Sequence, residues 1–331
     1  MWVRRIGAFI IAGGILATGV LWAEAPTDTY IPMRHTDQTI TIGWVGDMVP
    51  SDDAMYNQTV FDAVANELQK PDLMIGNLEG TFAQPDRLDK CLYLMSMCHA
   101  FRGDASFAAS IKAAGFDFVS LVNNHSYDFG EDGLRDTQTI LDETGIPYIS
   151  PTKQSTSIVV KGRKIGILGL SSTEPTKTIT DYGFIKREVT QLKEKNDFVI
   201  VIFHGGAEGS DKTVVPNTTE YMGTENRGDV AQVARVAVDA GADLVLGSGP
   251  HVLRKIEPHN GAVVAYSLGN FVGGKHLLTT GILGVSGIFT ATLEKDTPTT
   301  YDFTSVALSK DGTPSLDPTD NAKALITSLP Q

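Results

Sequence analysis

The sequence predicts a mixed α/β sandwich in which β-sheet is covered by helices. Three observations carry this. Strand and helix patterns alternate through the early part of the chain, whereas hairpin patterns accumulate late. Neither an internal repeat nor a second domain boundary interrupts the 331 residues, so the length fits one large layered domain. A hydrophobic fraction of 42% with a charged fraction of 20% is ordinary for a packed globular core.

The elements follow in order. Residues 39–46 (TITIGWVG) alternate and are β-rich, a strand; 54–69 read as a helix stopped near Pro71, and 72–76 (DLMIG) as a short buried strand. Residues 77–103 are long, irregular and contain both cysteines, a pattern often functional. Asp104 can cap a helix that runs to 114 and ends on Gly115. A strand is expected over 116–122, a helix over 131–144 and a short strand over 146–149. A hairpin is expected over 155–161 and 164–170, turning at Gly162-Arg163. Helices over 185–195 and 227–240 alternate with strands over 198–203 and 243–246. Residues 252–257 and 262–267 pair across Asn260-Gly261, and 282–293 and 301–308 are late strands. Residues 311–331 read as a peripheral polar tail.

Arg4 and Arg5 precede an uncharged stretch, 6–22, and Ala23-Glu24-Ala25 resembles a peptidase site followed by Pro26. Residues 1–25 therefore read as an export signal or a retained membrane anchor, with the rest outside the cytoplasm, and 26–38 as a linker. The chain carries 27 basic and 39 acidic residues, a net charge of −12, and 25 against 38 without residues 1–25. That balance excludes a nucleic-acid footprint. Two cysteines are too few for a disulfide scaffold or a four-ligand zinc site. Export would permit a disulfide between Cys91 and Cys98; the alternative is two unrelated small buried residues.

Six predicted strands run into short segments rich in Gly, Asn, His and acids: Gly46-Asp47, Gly76 to Gly80, Asn123 to Asp128, His204 to Glu208, Gly247 to His251 and Ser267 to Phe271. Ligands of open α/β sheets sit beyond the carboxyl ends of strands, so the six point to one composite site. Three of the seven histidines, His125, His204 and His251, lie in these segments; His35, His99, His259 and His276 read as ordinary. Imidazole and carboxylate together suit Zn²⁺, Mn²⁺ or Fe. The same groups could act without metal, with His125 and Asp128 as an oriented acid–base pair. Neither a Walker loop nor a G-x-S-x-G elbow is present.

In their order these motifs resemble the CapA family, linked to capsule and poly-γ-glutamate synthesis. The resemblance rests on Gly46-Asp47-Met48, Asn77-Leu78-Glu79-Gly80, Asn123-Asn124-His125 with Asp128 and Gly130, and His204-Gly-Gly with Glu208. It continues through Gly241-Ala242-Asp243, Pro250-His251-Val252 and Tyr266 to Phe271, and spans about residues 39–275. The family is similar to calcineurin-like metallophosphoesterases, which implies a four-layer α-β-β-α sandwich over 39–310. It also implies Asp47, Glu79, Asn124, His204 and His251 as metal ligands, with His125 and Asp128 catalytic. Asn77, Glu208, Ser248 and Asn270 are expected to contact substrate. The superfamily's histidine two residues beyond Asp47 is Val49 here, its bridging aspartate is Asn77, and one late histidine is Gly249. Five ligands suit one divalent metal, or none, better than two.

The resemblance implies an exported, membrane-associated accessory protein in making or exporting an anionic envelope polymer such as poly-γ-glutamate. Its partners would be that polymer or the synthesis complex. The alternatives are a metal-dependent phosphoesterase on an envelope or periplasmic substrate, and a binding module with a degenerate metal site. Arg102, Arg227 and Lys275 lie near the motifs, either as local polymer contacts or as solvated surface charge.

Overall fold

A computed structural model describes residues 28–31, 39–93, 98–176 and 178–330, with side-chain surroundings from residue 39 onward and excluding 92–97. The expected signal or anchor over 1–25 and most of the 26–38 linker lie outside the described residues. Within that linker, Asp28–Ile31 forms an edge strand parallel to Ser155–Val160. No helix among the described residues is long and apolar enough to cross a membrane.

Two sheets stack face to face. The first runs Asp28–Ile31, Ser155–Val160, Arg163–Ser171, Phe198–His204, Leu244–Ser248, Ala262–Ala265, Ile256–His259. The second runs Pro314–Leu316, Thr300–Leu308, Val285–Leu293, Ile40–Met48, Leu73–Leu78, Phe118–Ser120, Tyr148–Ile149, and Asn270–Val272 pairs with the end of Ile40–Met48. The middle strands of each sheet are parallel, as helical crossovers require. Such strands are buried on both faces, and Phe198–His204 accordingly reads as one apolar run ending in His204.

Three apolar layers hold the sandwich. Trp44, Ile75 and Phe289 of one sheet meet Ile167, Ile200 and Leu246 of the other. Outside the second sheet, Met74 and Val119 pack with Phe61, Phe107, Ile111 and Leu141. Outside the first, Leu170 and Val201 pack with Ile185, Val189, Val233 and Ala237. The order helix, sheet, sheet, helix is the expected four-layer α/β arrangement.

Several expected boundaries shift. The 54–69 helix divides into Ala54–Thr59 and Ala65–Leu68. Between them Asp62 N and Val64 N bond the carbonyls three residues back, a tighter turn that buries Val60, Phe61 and Val64. The first hairpin turns on Lys161-Gly162, one residue earlier than expected, because a two-residue hairpin turn takes two left-handed residues; their φ angles are 50° and 78°. The 227–240 helix starts only at Val230, where Asp229 Oδ1 accepts the Gln232 N–H at 2.8 Å, and Arg227 belongs to the strand Glu225–Gly228. The expected polar tail is part of the fold: Pro314–Leu316 extends the second sheet, and helix Asn321–Ser328 sends Ala322 and Ile326 into the core between the sheets.

Close packing around Gly46 sets up the site. A Cβ there would fall 1.9 Å from the Gly269 carbonyl oxygen, which also accepts the Asp47 N–H at 2.9 Å. Gly46→Ala is expected to force this strand end from its neighbour and lower stability by about 1–3 kcal/mol, read as a lower urea midpoint.

Candidate functional site

The parallel strands of both sheets end on one side of the molecule. Asp47 closes Ile40–Met48, Asn77 and Glu79 close and follow Leu73–Leu78, and Asn123 to Asp128 follow Phe118–Ser120. From the other sheet, His204 closes Phe198–His204, Ser248 closes Leu244–Ser248, and His251 follows it. His251 holds φ at 59°, an uncommon left-handed conformation.

At the centre, Asp47, Glu79 and His251 each offer a ligand atom within 4.8 Å of the others. His251 Nδ1 lies 3.2 Å from Asp47 Oδ2 and 2.8 Å from Asn270 Oδ1. Burial opposes charging His251, but Glu79 and Asp47 outweigh it and push the imidazole up to about 10. Burial likewise opposes ionising Asp47, but its contact with His251 prevails and holds the carboxyl below its usual range. Glu79 goes the other way: burial, reinforced by Asp47, pushes its carboxyl well up.

Glu79 is fully buried and neither side-chain oxygen has a hydrogen-bond partner. Its Oε1 nevertheless faces three imidazole nitrogens: His204 Nε2 at 3.6 Å, and His125 Nε2 and His251 Nε2 at 3.8 Å each. A buried carboxylate without partners costs stability unless something compensates it. Nitrogen and oxygen donors converging on such a carboxylate fit a divalent ion. Asn124 Oδ1 is a second buried oxygen without a partner, in the wall of the same cleft.

His125 and Asp128 form the expected pair. His125 Nδ1 lies 2.8 Å from Asp128 Oδ2, which also accepts the Phe101 N–H at 2.6 Å, while Lys90 Nζ holds Asp128 Oδ1 at 2.6 Å. The pairing fixes the ring and aims Nε2 at Glu79. Burial lowers the His125 pKa against the pull of Asp128, and burial lowers that of His204 further, helped by Arg227. Phe101 stacks on His125 with ring centres 4.2 Å apart.

Two expected substrate contacts prove to be supports. Asn77 donates to Asp47 Oδ1 at 2.8 Å and accepts from Asn123 at 3.1 Å; Ser248 Oγ lies 3.0 Å from His204 Nδ1. Both lie buried beneath the cluster, outside the lining of the cleft, because their neighbours consume their polar atoms. Glu208 and Asn270 do line the cleft, of about 630 Å³. So do His99 and His276, read from sequence as ordinary, and Lys90.

Arg227 is not solvated surface charge: it is 1% exposed, with Nη2 2.9 Å from Glu208 Oε1. Asp229, a residue type that caps helices and here the N-cap of Val230–Asp239, is the local signal that Arg227 precedes the helix. Arg102 and Lys275 pair with Asp52 and Asp53 and do not line the cleft. Cys91 and Cys98 form a disulfide, with Cα atoms 5.4 Å apart.

Residues 14–275 match the model of the family described as bacterial capsule synthesis protein PGA_cap. The chain belongs to this family. It is 24% identical over 290 residues to the capsule biosynthesis protein CapA of Bacillus anthracis, covering 78% of this chain and 66% of that protein. It is 26% identical over 284 residues to the PGA biosynthesis protein CapA of Bacillus subtilis, covering 78% and 69%. A solved phosphatase from Mycoplasma pneumoniae superposes with a TM-score of 0.53 at 15% identity, over 82% of this chain and 95% of that one. At that identity the likeness concerns the fold alone, the layered α/β architecture of a phosphatase. The PGA_cap match spans every strand end that builds the cleft.

Proposed function

We propose that this PGA_cap protein serves the synthesis or export of an anionic envelope polymer such as poly-γ-glutamate. In this reading it works outside the cytoplasm, held at the membrane by its N-terminal segment, through a metal-holding site. Family membership supports the polymer, and the Cys91–Cys98 disulfide favours an oxidising compartment. The observation that carries the site is the buried Glu79 carboxylate, without hydrogen-bond partners amid three imidazoles.

Asp47, Glu79 and His251 would hold the ion, with His204 and Asn124 beside them. Such an ion polarises a phosphoryl or carbonyl oxygen and lowers the pKa of water. The protein's own part is positional. Asp128 holds His125 through Nδ1, leaving Nε2 as the atom that exchanges a proton with a bound ligand. Lys90 holds Asp128 in place. That proton-transfer pair favours a second reading of the same site, a metal-dependent phosphoesterase acting on an envelope substrate.

The test is complementation of a deletion strain. Wild type is expected to restore surface polymer, whereas Glu79→Gln and His125→Ala are expected to lose most of it at equal protein levels. Full rescue by both variants would overturn the role of the site and leave a binding module. Phosphodiester turnover by the purified wild-type protein, lost in His125→Ala, would select the esterase reading.

A further inference from the structure

We propose that Arg227 is a built-in second cation of this site, holding the oxyanion of the ligand beside a single metal ion. The proposal rests on the metal reading above and adds what the ligand meets.

Arg227 is a permanent charge in an almost closed position, on the strand Glu225–Gly228. Its donors are unevenly used. Nε donates to the Gly206 carbonyl at 3.2 Å, and Nη2 meets Glu208 Oε1 at 2.9 Å and His204 Nε2 at 3.4 Å. Among the described residues Nη1 faces only Glu225 Oε1, at 3.6 Å, beyond hydrogen-bond range. That same Glu225 oxygen accepts the Ser172 and Thr173 hydroxyls at 3.3 and 3.1 Å. Arg227 belongs to the lining of the cleft, and its Nη1 has donors to spare.

Two further observations set this charge against the imidazole cluster. A Cβ on Gly249 would come 3.0 and 3.1 Å from the Gly205 backbone oxygen and nitrogen and 3.2 Å from Arg227 Nη2, so backbone and guanidinium together close that position. Nη2 also approaches the same His204 nitrogen that faces Glu79, so a second ion there would meet a fixed positive charge. The carboxylates of Asp47, Glu79, Glu208 and Glu225 would repel an anionic ligand. One divalent ion and one guanidinium offset them, and a guanidinium fork suits carboxylate or phosphate.

The experiment uses the full-length protein. Mn²⁺ is titrated calorimetrically into wild type, Arg227→Met and Arg227→Lys, with circular dichroism to verify folding, and bound metal is counted. Inorganic phosphate and acetate are then titrated into the Mn²⁺-loaded proteins. One Mn²⁺ per chain is expected in wild type and Arg227→Met, with oxyanion affinity about tenfold weaker in the latter. Arg227→Lys should recover part of it, and it carries the test if Arg227→Met fails to fold, by binding the oxyanion more weakly than wild type. Preference for phosphate would indicate a phosphate ester, and preference for acetate a carboxylated polymer. Two Mn²⁺ per wild-type chain, or oxyanion affinity unchanged in both variants, would overturn the proposal. Absence of bound Mn²⁺ in wild type would defeat the metal reading itself, and the single-metal half of this one with it.

Discussion

Glu79→Gln is expected to stabilise the metal-free protein while abolishing its stabilisation by metal. Glu79 is fully buried, lacks hydrogen-bond partners and sits near Asp47, so burial and like charge both oppose its ionised form. An amide of the same shape removes that conflict, and its N–H groups can turn toward the His125 or His204 Nε2 atoms. The gain should be about 1–3 kcal/mol in chelator-treated protein. With metal present the order reverses. Binding to the native state alone stabilises wild type by ~2.7 kcal/mol at a hundredfold excess over Kd, and the variant lacks the anionic ligand needed to share it.

The pH dependence separates this from a general packing effect. The folded-state pKa of Glu79 is raised above its unfolded value. Its contribution to stability is therefore fully present below the unfolded carboxylate pKa, about 4.3, and is lost as pH rises through the folded value. Metal-free wild type should lose stability relative to Glu79→Gln as pH climbs out of the acid range. Denaturant midpoints of both proteins across that range, with and without Mn²⁺, provide the measurement. Parallel pH curves would contradict the assignment.

Arg254→Ala should produce the largest loss of stability. Arg254 is fully buried and grips Glu220 with two hydrogen bonds of 2.8 Å. It also donates to the carbonyls of Lys212 and Ala207, and Glu220 Oε2 in turn accepts the Ala207 N–H at 3.3 Å. Removing the guanidinium leaves a buried carboxylate unpaired and the loop around Glu208 unanchored. The expected cost is about 3–5 kcal/mol, read from urea unfolding. Arg254→Met combined with Glu220→Leu should recover much of it, because removing both charges avoids the unpaired one. Failure of the double variant to recover would assign the effect to the lost loop anchors instead.

Much of the site was legible because it lies on a repeated local pattern, a strand followed by Gly, Asn, His or acid. Asp47, Glu79, His125, Asp128, His204 and His251 all carry that mark, and the fold collects them since parallel strands end on the same side. Roles within the cluster were less legible. Asn77 and Ser248 share the mark yet serve as struts beneath Asp47 and His204, a distinction set by depth, which spacing does not encode. Arg227, His99 and His276 lack the mark and reach the cleft from separate segments. The C-terminal segment looked too polar for a core element, but Ala322 and Ile326 suffice once they share one face of a short helix.

By itself, then, the sequence determined the α/β class, the order of the strand ends and the identity of the groups gathered there. Periodicity and turn chemistry are local properties, and a chain carries them in plain order. Only the tertiary structure decided that Glu79 lies among three imidazoles without a hydrogen bond, and that Arg227 is enclosed beside His204 rather than solvated. Burial and charge pairing arise between residues far apart in the chain, and those distances, not residue identities, set which carboxylate carries charge and where a ligand can bind.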